Sequence, residues 1–347
     1  MNIVYTERER CTGCYACIRK CPAKAIRVRE GLAEVMQERC INCGFCIQVC
    51  APKAQQAESD VGKVWQLLDQ YSDVIAILSS SFPAALPEVR AGQLVTSLKS
   101  LGFSEVMEGA FGAELVGGEY TRLLSKGKNG SILSSNCPAV VTYIEKYYPS
   151  LIDNLAPIVS PMIAMGRAIK WRYNPQARVV FIGPCVAKKA ESMDETVGGV
   201  IDAVLTFAEL NEMFAAKGIT PETEEEGQFS GPKPNFGRLF AISGGLLKVA
   251  GFSDDILQND VMSVHGRDYV VKILGEFAQG DIAAKFVNLY FCHGCIDGPA
   301  IDNDLSGFRR KEVVSRYARS KADPVQTERE VEDYAGIDLS RKFTNRA

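Results

Sequence analysis

Twelve cysteines stand in a chain of 347 residues, and four of them lie far from the other eight. The first of the four ends the stretch Ile132-Leu133-Ser134-Ser135-Asn136-Cys137-Pro138-Ala139. An apolar run turns there into Ser, Asn, Cys and Pro. Pro138 suits the first turn of a helix, expected over 139–148, because its missing N–H would be unpaired there anyway. The Cys137 sulfur is thus expected beside a helix N-terminus, a setting that favours a thiolate and metal ligation. A second buried strand, Arg178 to Gly183, leads into Pro184-Cys185-Val186-Ala187-Lys188-Lys189. A third, Phe286 to Phe291, leads into Cys292-His293-Gly294-Cys295. One cysteine, one cysteine and a C-x-x-C pair make four thiolates, enough for an iron–sulfur cube.

The other eight form an internal repeat. Cys11, Cys14, Cys17 and Cys21-Pro22 follow C-x2-C-x2-C-x3-C-P, and Cys40, Cys43, Cys46 and Cys50 repeat the spacing. This resembles the bacterial two-cluster ferredoxins, in which the fourth cysteine of each run ligates the other cluster. The resemblance assigns Cys11, Cys14, Cys17 and Cys50 to one [4Fe–4S] cluster and Cys40, Cys43, Cys46 and Cys21 to a second. A zinc site or a disulfide knot is the bland alternative. Between the runs, Ala25 to Val28 and Leu32 to Met36 read as a hairpin.

Strands and helices must alternate to position these cysteines. A helix over 61–71 joins the repeat to a buried strand, Asp73 to Leu78. The polar turn Ser79-Ser80-Ser81 follows; in α/β folds such a turn at a strand's C-terminal end is where ligands bind. A simple loop is the other reading of it. Helices are expected at 92–101, 113–124 and 207–217, and strands at 103–107, 131–135, 178–182 and 202–206. Phe240 to Gly245 is predicted as a strand ending in a Gly-Gly turn. Residues 221–234 read as a surface excursion, and 305–347 as a charged tail without a further motif. The pattern argues for an α/β fold with parallel sheets flanked by helices, preceded by a small α+β ferredoxin-like unit.

Composition is ordinary for a globular protein, with 46% hydrophobic residues and a formal charge of −3. That charge gives no reason to expect nucleic-acid binding. No apolar run approaches the roughly 18 residues of a membrane span, and the first ten residues lack the apolar core of a secretory signal. A cytoplasmic location is therefore expected, and there cysteines in such number point to metal rather than disulfides.

Together the three outer cysteine stretches resemble the catalytic domain of iron-only, or [FeFe], hydrogenases. That family carries T-S-C-C-P, M-P-C-x-x-K-K and E-x-M-x-C-x3-C-x2-G-G stretches; the counterparts are 134–138, 183–189 and 288–299. They hold the H-cluster, a [4Fe–4S] cube bridged by one cysteine to a diiron unit with CO, cyanide and a dithiolate bridge. The resemblance implies that Cys137, Cys185, Cys292 and Cys295 ligate the cube and that Cys295 bridges to the diiron unit. It places Lys188 as donor to one cyanide, since an ammonium offers three donors, and Ser81 as donor to the other. Pro184, Phe240 and the Ser243-Gly244-Gly245 turn match the pocket wall. A solvated lysine is the competing reading for Lys188.

The departures bear on rate. Asn136 stands where the family has its proton-relay cysteine, Ala156 aligns with a relay serine, and Val116 with a relay glutamate; Glu119 matches the other glutamate. Gly183, Met162 and Tyr290 replace three residues that pack the diiron unit, and the last pair is C-x2-C. Such changes resemble the branch of the family assigned to sensing. Residues 1–57 are expected to form the ferredoxin-like domain and 58–347 the H-cluster domain. The expected function is a hydrogenase-type oxidoreductase of low turnover that splits or senses H2 and passes electrons through three [4Fe–4S] clusters. Its implied partners are H2 and protons, a ferredoxin or other redox protein, signalling proteins and maturation proteins for the diiron unit; no nucleic acid and no membrane are expected. The alternatives are a non-catalytic iron–sulfur protein in cluster assembly, as eukaryotic relatives of the fold are, and a plain electron carrier.

Overall fold

The computed structural model describes residues 3–126, 130–252, 260–282 and 284–347. The chain starts with β1 (Val4–Thr6), a hairpin of β2 (Ile26–Arg29) and β3 (Leu32–Val35), and β4 (Gln55–Ala57), which pairs antiparallel with β1. Short helices at Ala16–Lys20 and Phe45–Gln48 carry the third cysteines of the two runs. Gly44, with φ of +75°, starts the second of them, and a Cβ there would stand 2.6 Å from the Pro299 ring. The repeat is thus packed closely against the segment that follows the last cysteines.

Beyond it lie two parallel sheets. The larger has the order β6-β5-β8-β9: β5 (Val74–Leu78), β6 (Glu105–Glu108), β8 (Arg178–Gly183) and β9 (Ala203–Thr206). The smaller has the order β10-β11-β7: β7 (Ile132–Leu133), β10 (Val261–His265) and β11 (Phe286–Tyr290). β5, Val-Ile-Ala-Ile-Leu, is buried along its whole length, as a strand covered on both faces by helices must be. Each of its larger side chains contributes about 1.5–3 kcal/mol on burial. Helices Ala91–Leu101, Ala110–Ser125, Pro161–Arg172 and Phe207–Lys217 flank the larger sheet's elements. Pro138 opens the helix Pro138–Tyr147.

Four expectations change. Phe240–Gly245 is not a strand; a 3-10 turn at Phe236–Leu239 runs through a bend into the helix Gly245–Val249. The strand before Cys137 shortens to two residues: the Ser134 amide still bonds the Val287 carbonyl, but beyond it the Ser134 and Ser135 hydroxyls take the place of backbone groups. β10 and the helix Arg267–Gln279 have no counterpart in the sequence reading. Nor is the tail featureless. It forms helices Gly307–Ser320 and Pro324–Glu332, and its last residues return to the core, where Leu339 and Arg341 are buried. Among the described residues no helix is long and apolar enough to cross a membrane.

Candidate metal centre

The carboxyl ends of β7, β8 and β11 bring Cys137, Cys185, Cys292 and Cys295 together. Local polar contacts fix the first turn. Ser134 accepts a hydrogen bond from the Leu289 amide at 2.8 Å, extending the β7–β11 pairing by one side chain. The Ser135 hydroxyl donates to the Ile158 carbonyl at 2.7 Å, and the Ser135 amide donates to the Tyr120 hydroxyl at 2.9 Å. The last cysteine loop is fixed by close approach: Gly294 has φ of +86°, and a Cβ there would meet the Ala241 carbonyl at 2.7 Å. The bend containing Ser243 thus packs on the C-x-x-C loop, while Gly244, with φ of +82°, caps the next helix.

Burial pushes all four thiols up, Cys185 to about 11 and Cys295 to about 12. Each of Cys185, Cys292 and Cys295 is also raised by its cysteine neighbours, so the four lie within one another's field. The helix N-terminus at Cys137 does not make a thiolate by itself: backbone donors and Lys188 pull its thiol down, but burial outweighs them. A buried thiol needs a bound cation to ionise, and four of them in one pocket suit a cube. Among the described residues no three Cys, His, Asp or Glu groups gather tightly enough for one metal ion. Around a single zinc each thiolate would lie about 2.3 Å from the ion; a cube places one iron under each thiolate and spreads them wider.

In the repeat, Cys17 is raised first by burial and then by Cys50 and Cys11. Cys46 is raised by burial and by Cys43, Cys40 and Cys21. Cys17 thus lies near Cys50 and Cys11, and Cys46 near Cys43, Cys40 and Cys21. Cys17 lies in the field of Cys46, and both Cys43 and Cys185 and Cys43 and Cys292 are neighbours across sets. All twelve cysteines are free of disulfides.

A cavity of about 40 Å³ borders the outer set, at the carboxyl edge of β6, β5 and β8. Ser79, Ser80, Gly109, Met162, Pro184, Lys188 and Phe240 line it together with Cys185 and Cys295. Ser81 is buried behind it, its hydroxyl 2.9 Å from that of Ser79. Gly245 also lies outside the lining; a Cβ there would clash with the Leu239 carbonyl. Lys188 is not a solvated lysine. Its ammonium donates to Glu191 Oε2 at 2.7 Å. Asn136 is buried with neither amide atom hydrogen-bonded. Glu119 lies apart, paired with Arg122 in an outer cavity. Val116 and Ala156 are wholly buried in the apolar core. Tyr120 and Glu191 escaped the sequence reading; for Glu191 the i,i+3 spacing from Lys188 was the available signal.

The family model for the iron only hydrogenase large subunit, C-terminal domain, matches residues 72–299. The chain belongs to that family. A model for the 4Fe-4S dicluster domain matches residues 3–51 of this hydrogenase-family chain. It is 32% identical to the periplasmic [Fe] hydrogenase large subunit of Nitratidesulfovibrio vulgaris, over 72% of this chain and 67% of that one. It is 31% identical to iron hydrogenase 1 of Clostridium pasteurianum, over 46% of this chain and 31% of the relative. A cytosolic Fe-S cluster assembly factor NAR1 homolog of Schizosaccharomyces japonicus is 34% identical, over 26% of this chain and 20% of its own. The matches therefore span 67% of one hydrogenase relative and 31% of the other. Among solved structures, a variant of the [FeFe]-hydrogenase HydA1 from Chlamydomonas reinhardtii has the same fold, with a TM-score of 0.66 and 17% identity over 84% of this chain and 100% of that one. The [FeFe]-hydrogenase HydA(deltaEFG) structure gives 0.67 over the same shares, at 17% identity.

Proposed function

We propose that this chain is an iron–sulfur oxidoreductase of the hydrogenase type, with low turnover suited to sensing H2, its two units meeting near residue 57. The observation that carries the reading is the convergence of Cys137, Cys185, Cys292 and Cys295 beneath a cavity that Lys188 enters. The donor sets suit three cubes. The cavity bordered by Cys185, Cys295 and Lys188 suits a further polar group, and the Asn136 amide, outside that lining, is orphaned beside Cys137 in the chain. When bound, the cubes and the diiron unit supply the redox chemistry.

The chain's own residues set the terms of that chemistry. Lys188 holds a positive charge at the cavity wall, where an anionic diatomic ligand would meet a charge-assisted donor. The three cysteine sets form a row, with Cys46 joining the first to the second and Cys43 the second to the outer one. Protons fare worse. A relay needs groups that each accept and release a proton within hydrogen-bond reach. Asn136, Val116 and Ala156 cannot titrate near neutral pH, and Glu119 stands beyond them.

A second reading is a non-catalytic relative that keeps cubes and lacks the diiron unit, as the likeness to cluster assembly factors suggests. One observation favours it. A Cβ at Gly183 would meet the Phe181 ring at 2.7 Å, and the Tyr290 ring packs on Phe240, so large side chains fill the space around the cavity. Infrared spectroscopy after incubation with a diiron complex and the maturation proteins separates the two. CO and cyanide bands support the hydrogenase reading; three intact cubes without such bands support the second.

A further inference from the structure

Lys188 is the inner end of a ladder of alternating charges. Glu191, whose side chain is fully buried, accepts from the Lys188 ammonium at 2.7 Å and from the Ser160 hydroxyl at 3.0 Å. Its other oxygen accepts from Arg341 at 3.0 Å. The Arg341 side chain, 3% exposed, reaches on to Asp194 at 3.2 Å. Arg346 then ties Asp194 at 2.5 Å to Glu145 at 3.0 Å. Both arginines belong to a strap, residues 338–346, that lies beyond the family match. The strap is pinned to the chain just after Ala156. The Val159 amide donates to the Leu339 carbonyl at 2.9 Å, the Arg341 amide to the Pro157 carbonyl at 3.2 Å, and Arg167 to the carbonyls of Asp338 and Ser340.

The ladder runs from the inner cavity to an outer one lined by Asp194, Thr196 and Arg346. It is not a proton relay, because a guanidinium does not release its proton in a protein. What it does is hold charge in place. Breaking a buried pair by removing one partner leaves a costly uncompensated charge. With Arg341 present, Glu191 is shared between two cations, and the ladder's three cations balance its three carboxylates. Without Arg341, Glu191 would neutralise Lys188 alone.

We propose that Arg341 is a positioning residue for Lys188, acting through Glu191, and that the C-terminal strap is thereby a working part of the metal centre. This rests on the reading that the outer four cysteines hold a cube beside Lys188. The test is an anaerobic EPR redox titration of the reconstituted full chain, on the cube signal that Cys185→Ser removes. Arg341→Gln withdraws a positive charge and is expected to lower the cube's potential. Glu191→Gln withdraws a negative charge and is expected to raise it. In a Lys188→Gln background the Arg341→Gln shift is expected to shrink, since the two sites are coupled. A strap that merely packs would move both single variants the same way or neither, and that result overturns the proposal. If a Gln variant loses the cube altogether, Arg341→Lys decides: a return toward wild type supports the charge argument, and damage equal to Arg341→Gln sinks it. A wild-type chain that forms no cube at the outer cysteines defeats the site reading itself, and shows as missing iron before any titration.

Discussion

The ammonium of Lys189 lies 2.9 Å from the Glu209 carboxylate, both side chains buried, and donates also to the Val204 carbonyl at 2.7 Å. Its neighbour Lys188 faces the cavity instead. Two adjacent lysines thus divide between structure and site. Glu209 has two tasks, since it also closes the capping box on Thr206 at the start of the helix Phe207–Lys217.

Losing Lys189 is therefore expected to cost far more stability than losing Lys188. Lys189→Met leaves a buried carboxylate unpaired, a loss of about 3–5 kcal/mol. Lys188→Met leaves Glu191 with Arg341 and Ser160 and costs less. Burial alone would raise the Glu209 carboxyl, but Lys189 and the Thr206 bonds outweigh it and hold it below the usual glutamate value. A lowered carboxyl stabilises the fold above its unfolded pKa and loses that contribution as pH falls through the folded value. The stability gap between wild type and Glu209→Gln should accordingly narrow on acidification below the ordinary glutamate range. Denaturant midpoints at a series of pH values check both points; equal losses for the two lysine variants would contradict the division.

Anaerobic reconstitution is expected to bind about 12 iron atoms, four per cube. Replacing Cys137, Cys185, Cys292 and Cys295 together should leave about eight. Iron analysis decides; a wild-type value of about eight returns the outer cysteines to plain packing.

Cys21 is the test of crossing. Cys40, Cys43 and Cys46 all feel its field, although it also packs beside Cys17 and Cys11 of its own run. Cys21→Ala should disturb the cluster of the second run, and Cys50→Ala that of the first. EPR of the reduced variants identifies which signal is lost. Loss confined to a variant's own run would falsify the crossed assignment.

H2 turnover is expected to be low and limited by protons. Asn136→Cys alone should raise it modestly, because Val116 and Ala156 remain apolar and buried. The triple variant Asn136→Cys, Ala156→Ser, Val116→Glu should raise it further, provided the core accepts a buried glutamate. H2 oxidation and evolution assays compare the three proteins. Fast turnover by the wild type would refute the idea, since the charged ladder that leaves the cavity contains Arg341.

What the sequence determined by itself is local chemistry. Ligand spacing fixed both cysteine runs, because three cysteines at intervals of three residues can reach one cluster whatever surrounds them. Apolar runs ending in Cys-Pro or Pro-Cys located β7 and β8, and Lys188 could be singled out by its offset from Cys185. Tertiary structure decided everything that depends on distant segments meeting. Burial, not the helix terminus, dominates the Cys137 thiol. The hydroxyl of Ser81 is taken by Ser79, and it is Ser79 and Ser80 that line the cavity. The segment 240–245 bends where Gly294 packs against Ala241, and no periodicity reports such a contact. Arg341 lies 150 residues from Glu191 in the chain; in a charged tail it reads as one more solvated arginine, and only folding, which removes water from both groups, makes their pairing matter.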